Sequence, residues 1–184
     1  NGVEVDRTRM GSGTVSYTTR ADAAPNYAAA SSSLPEVFVP ASALETGDNV
    51  IAVETHVNYL RTPTVSMQAS IVRVDGTPEN NSSVPSDHNT ESNDATKPIN
   101  AATVKSGTVI DTGAEWNYWT STNEPTSDWA TTGSLASWNR GTGPIGWGDD
   151  GAATALDIAK KDRAVTYYFA RDIDLGTISP NTSL

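Results

Sequence analysis

Hydrophobic and polar positions along the chain follow a period of two more often than a helical one. Residues 65–74 place Val65, Met67, Ala69 and Ile71 on one face and Ser66, Gln68 and Ser70 on the other, the pattern of a half-buried antiparallel strand. Residues 49–57 (NVIAVETHV) are continuously apolar from Val50 to Val53, which predicts a central strand. Residues 164–175 (AVTYYFARDIDL) alternate Val165, Tyr167 and Phe169 against Thr166, Tyr168 and Ala170 and predict a third. Shorter strands are expected at residues 3–6, leaving an Asn1-Gly2 hairpin turn, at residues 14–19 with Val15 and Tyr17 on one face, at 37–39 and at 108–110. Residues 40–46 (PASALET) have Pro at the start and Gly47 just past the end, so one helical turn is predicted there. Residues 21–33 are Ala-rich but carry Pro25 and end in three serines, which favours a loop.

Periodicity fails in two places. Residues 75–98 (DGTPENNSSVPSDHNTESNDATKP) have Val84 and Ala95 as their only aliphatic side chains and cannot bury enough apolar surface to offset the entropy of ordering. Residues 75–103 therefore read as a linker between two strand-rich segments, 1–74 and 104–184. The second irregular stretch, residues 115–151, holds all five tryptophans among frequent glycines, so a backbone of turns is expected.

Composition narrows the class. The chain carries a net charge of -10 and shows no cluster of Lys or Arg along the sequence, which argues against a nucleic-acid partner. There is no apolar run of bilayer length, so no membrane span is expected. With no cysteine, disulfides, thiolate metal sites and Cys nucleophiles are excluded together. An acidic chain rich in Thr, Ser, Asn and Gly suits a bacterial protein exported without disulfide chemistry. The abrupt start at NGVEV reads as an internal piece of a longer polypeptide.

Candidate chemistry is sparse. Flat tryptophan faces stack on pyranose rings, and Trp129 and Trp138, set among Ser, Thr and Asn, are the expected exposed platform. Trp116, Trp119 and Trp147 read first as core, and the candidate ligand-binding set is Trp129 and Trp138 together with Trp147, whose core reading is the simpler one. Asp149 and Asp150, between glycines, are the candidate metal ligands for Ca²⁺, against a simpler reading as turn caps. Asp172 and Asp174 share a strand face and read as solvated surface. Glu54 and His56 also share a face and form a possible acid/base pair, against the plainer reading of a structural ion pair. No Gly-x-Ser-x-Gly, phosphate loop, His-Glu-x-x-His or dinucleotide fingerprint occurs, so no enzyme activity is expected.

The motifs Glu115-Trp116-Asn117-Tyr118, Pro144-Ile145-Gly146-Trp147-Gly148-Asp149-Asp150-Gly151 and Thr166-Tyr167-Tyr168-Phe169-Ala170-Arg171 resemble the N-terminal half of a galactose-binding-like jelly-roll module of large secreted bacterial proteins. Asn1-Gly2-Val3-Glu4-Val5, residues 44–49 and Val50-Ile51-Ala52-Val53-Glu54-Thr55-His56 resemble its C-terminal half, so the two halves stand in reversed order. The family carries a strand between the positions matching Leu184 and Asn1 that this chain lacks. The resemblance implies an all-β antiparallel sandwich in which residues 1–74 and 104–184 pack together, with Leu184 and Asn1 flanking an open strand slot that invites self-association. The function expected is a non-catalytic extracellular or cell-surface module binding polysaccharide or matrix. The alternative is a structural repeat of a stalk or filament assembled by strand exchange. A third reading is an accessory domain packed on a hydrolase.

Overall fold

The computed structural model describes residues 1–25, 36–76, 105–131, 135–148 and 151–184. It is an all-β protein of mainly antiparallel sheets. In chain order the strands are β1 (Asp48–His56), β2 (Val65–Met67), β3 (Ile71–Asp75), β4 (Lys105–Ile110), β5 (Glu115–Trp119), β6 (Asn139–Thr142), β7 (Ile145–Trp147), β8 (Thr154–Ala155), β9 (Thr166–Asp174) and β10 (Thr182–Ser183). They form a four-stranded sheet β1-β9-β5-β6 and two three-stranded sheets, β10-β3-β4 and β2-β7-β8. A 3₁₀ turn at Ala41–Ala43 follows Pro40, and Gly47 takes positive φ before β1, as the Pro-first, Gly-last pattern predicts.

Segments 1–76 and 105–184 share all three sheets. β1 pairs with β9 over nine residues, from Asp48 opposite Asp174 to His56 opposite Thr166, while β2 pairs with β7 and β3 with both β4 and β10. Apolar side chains from both segments meet in one cluster: Ile51, Val53, Trp116, Tyr167, Phe169 and Ile173 come from the four-stranded sheet. Val65, Met67, Ile71, Ile110, Ile145 and Trp147 come from the opposing strands. A second cluster covers the outer face of the four-stranded sheet, where Val50, Tyr168 and Ala170 meet Trp129, Leu135 and Trp138. β9 is therefore buried on both faces, which explains its unbroken run of large side chains.

Four strand expectations change. Residues 37–39 form no strand, and Val39 pairs with Leu184 instead. The predicted strand 65–74 breaks at residues 68–70, because β2 and β3 pair in different sheets and the chain must turn a corner between them. At β2 the partner comes close enough that a Cβ on Gly146 would collide with the Val65 carbonyl, so a residue without a side chain is required. Residues 3–6 and 14–19 form no strand. They find no partner ladder, and Val3 is 69% exposed. Arg7 instead folds the segment locally, bonding the Glu4 carboxylate and donating to the carbonyls of Gly11 and Gly13.

Most of the linker assigned to 75–103 lies outside the described residues, but Asp75 belongs to β3, opposite Thr182 and Lys105. Asn1 bonds β1 in the four-stranded sheet, whereas Leu184 exchanges two backbone hydrogen bonds with Val39 beside β10. The two residues do not flank one common slot, a correction that follows from β1 and β10 lying in separate sheets. Among the described residues, no helix is long and apolar enough to cross a membrane.

Phe169 is fully buried at the crossing of β1, β9 and β5. Phe169→Ala should cost about 3–5 kcal/mol, read as a lower urea midpoint at unchanged slope. A change in the slope instead would mark loss of two-state unfolding.

Candidate functional site

The tryptophans are spent on packing. Trp129 and Trp138 are each only 8% exposed and stack at 5.6 Å between ring centroids. Trp129 meets Tyr168 edge-on at 5.1 Å, and Trp119 lies 6.0 Å from Trp138. The expected exposed platform is thus corrected. Polar neighbours in sequence did not reveal that the outer face of β9 supplies Tyr168 and Ala170 as an apolar floor. Trp116 and Trp147 are core residues, as their first reading held. Trp147 packs edge-on against Tyr167 at 4.9 Å, with the Arg163 guanidinium 4.6 Å over its ring. Its indole N–H points to the Thr62 carbonyl at 3.5 Å.

Asp149 and Asp150 lie outside the described residues. Among the described residues, no group of three or more His, Asp or Glu side chains is placed to hold a metal ion.

Glu54 and His56 do come together, at 2.9 Å between Glu54 Oε2 and His56 Nε2. On the other side of the ring, Nδ1 donates to the Thr19 carbonyl at 2.7 Å and lies 2.9 Å from Thr166 Oγ1. Thr, His and Glu thus stand in the order of a nucleophile, base and orienting acid. The Thr166 hydroxyl, however, already donates to the Tyr17 carbonyl at 2.8 Å, and the His56 side chain is 5% exposed. The cluster fastens residues 17–19 over the end of β1, where the Ala21 N–H also donates to the Val57 carbonyl.

At the other end of β1 a cleft of about 460 Å³ opens between Asn1, Glu45, Asp48, Asn49, Val50, Thr131 and Asp172, within the size range of ligand pockets. Asn49 builds it. Its side chain donates to the carbonyls of Glu45 and Gly47 and accepts from the Glu45 N–H and the Asn1 amide, so it is fully committed. Asn1 also pairs with Val50, donating to its carbonyl at 2.8 Å and accepting from its N–H at 2.9 Å. The exposed carboxylates of Glu45, Asp48 and Asp172 remain on the rim. Nothing local in the sequence marks this cleft, because its walls are 48, 131 and 172 residues along the chain and meet only through the β1–β9 register.

Comparison with protein-family models, with curated proteins and with solved structures finds no match.

Two adjacent tyrosines give a test of the burial pattern. Burial raises the hydroxyl pKa of Tyr167 and of Tyr168, the latter further through the Glu54 and Glu124 carboxylates. A raised folded-state value stabilises the protein fully below the unfolded value of about 10 and loses that stabilisation as pH rises beyond it. Stability should therefore fall on the alkaline side, less steeply in Tyr168→Phe. At neutral pH the two Phe variants should diverge. The Tyr167 hydroxyl accepts from the Ala164 N–H at 3.0 Å, so Tyr167→Phe should cost about 1–3 kcal/mol. The Tyr168 hydroxyl finds no partner among the described residues, and Tyr168→Phe should be neutral or stabilising in thermal melts. His56→Ala should speed amide hydrogen exchange at residues 17–21 while leaving β5 and β6 protected; unchanged exchange there would contradict the fastening role.

Proposed function

We propose that this chain is a non-catalytic structural module of a larger secreted bacterial protein, a galactose-binding-like jelly-roll unit that repeats along a surface stalk or filament. The observation that carries this reading is the fate of the tryptophans. The tryptophan faces a sugar-binding role would use are consumed by two packed cores, and the aromatic side chains left exposed among the described residues are Tyr17, Phe38 and Tyr59. The β1 edge leaves only a short gap for an added strand. Val50 turns its N–H and C=O outward to Asn1, so the alternation of an antiparallel ladder turns those of Ala52 and Glu54 outward too. No hydrogen bond from a described residue reaches either backbone from that side.

The cleft favours a second reading, binding of glycan or matrix, because carboxylates and the Thr131 hydroxyl around Val50 match the donors and acceptors of a sugar. A glycan array and a polysaccharide pull-down with the purified chain separate the two. A structural repeat is expected to retain nothing. Retention that falls about tenfold, equivalent to about 1.4 kcal/mol, in Asp48→Asn/Asp172→Asn would overturn the structural reading and give the cleft to a glycan.

A further inference from the structure

The β1–β9 ladder has charge clusters of opposite sign at its two ends. At one end Asp48 stands directly opposite Asp174, and Asp172 follows on the same face, an arrangement in which like charges destabilise the pairing. Glu45 joins them across the cleft. Among the described residues none of these four carboxylates lies within ion-pair distance of a cation, and the one positive group in the cleft, the Asn1 ammonium, is felt by Glu45 alone. The arginines nearby are committed elsewhere. Arg73 binds Asp75 and the carbonyls of Leu175 and Thr177, and Arg171 bonds the Glu115 carbonyl.

At the other end, Arg163 donates to the Thr62 carbonyl at 2.8 Å and so holds the loop of residues 59–62 against the stretch 160–163. Arg61, Lys160 and Lys161 are exposed there. They and Arg163 have no carboxylate partner among the described residues, and the acids of the stretch are Asp157 and Asp162. Tyr59 and Leu60 form an exposed apolar tip, at 44% and 38%. Lys160, Lys161 and Arg163 stand together in the sequence, and the fold brings Arg61 to them.

We infer that copies of this chain associate head to tail, the basic loops 59–61 and 160–163 of one copy seating on the acidic cleft at Glu45, Asp48 and Asp172 of the next. The two surfaces are about 27 Å apart along a nine-residue antiparallel ladder, so they cannot neutralise each other within one molecule. Each supplies the charge the other lacks, and Tyr59 and Leu60 bring apolar surface to the Val50 floor. A contact between unlike ends is heterologous and builds a line, or a ring where its rotation closes, rather than a two-fold dimer. The net charge of -10 opposes any association that lacks such local complementarity. This contact rests on the structural-repeat reading and names its partner as a second copy.

Sedimentation velocity over a concentration series tests it. At about 0.02 M salt the mass should climb above 19.4 kDa with concentration, and at about 0.5 M salt it should return to monomer as screening shortens the reach of charge. Lys160→Glu/Lys161→Glu and Glu45→Lys/Asp172→Lys should each weaken association at least about tenfold with unchanged circular dichroism. An equimolar mixture of the two variants should associate again, since each then carries the charge the other needs. Association that ignores salt and both variants would overturn this contact while leaving the repeat reading in place through another surface. A monomer at every concentration would also overturn it, and the repeat reading would then stand or fall on the polysaccharide test. Retention of the wild type on dextran sulfate without self-association would assign the basic loops to an anionic polysaccharide instead.

Discussion

The pairing of β1 with β9 is the constraint on which everything else depends. It joins residues 48–56 to residues 166–174 in unbroken antiparallel register, and closing so long a stretch of chain is entropically unfavourable before any contact is gained. The compensation is that β9 buries both faces at once. Tyr167, Phe169 and Ile173 serve the inner cluster, while Tyr168 and Ala170 serve the outer one. The inner cluster is shared between the segments, needing Val65 and Met67 from one and Trp116, Ile145 and Phe169 from the other. The segments are therefore interdependent folding partners, joined along this ladder.

What could be read from the sequence was what local periodicity encodes. β9 falls where the alternation at 164–175 places it, β1 where the apolar run at 49–57 does, β4 extends the strand expected at 108–110, and the 3₁₀ turn falls between Pro40 and Gly47. Residues 3–6 and 14–19 carry the same alternation and form no strand, because alternation describes a fit to a sheet and not the presence of a neighbour. The break after Met67 is likewise tertiary. Val65 and Met67 must meet β7, and Ile71 must meet β4, and no residue between them signals the change of sheet.

The tryptophans' burial has a sequence signal in their sheet partner. Residues 166–170 put aromatic side chains on both faces of one strand, Tyr167 and Phe169 on one and Tyr168 on the other. A strand of that kind needs two covering layers, and the apolar side chains able to supply the second are those of the irregular stretch, Trp129 and Trp138 among them. Their serine-, threonine- and asparagine-rich neighbours form turns that return the chain to the sheet. Two are closed by the Trp129 N–H to the Thr126 carbonyl and the Trp138 N–H to the Leu135 carbonyl. The cleft had no comparable signal, since Asp48 and Asp172 become neighbours only once the register is set.

The edge of β1 determines which directions remain open to a partner. A bare edge strand is a template for unwanted pairing, and the N-terminal segment blunts this one without adding a strand. Asn1 occupies Val50 with one side-chain and one main-chain bond. Thr19, Tyr17 and Ala21 hold the far end through His56, Thr166 and Val57. Only Ala52 and Glu54 are left between, and Glu54 places a carboxylate beside that short gap. Growth across the sheet would have to begin on two residues of ladder, next to a charge. Growth along the strand axis meets no such obstacle, and at its two ends lie Glu45, Asp48 and Asp172 on one side and Arg61, Lys160, Lys161 and Arg163 on the other, none of them in an ion pair among the described residues.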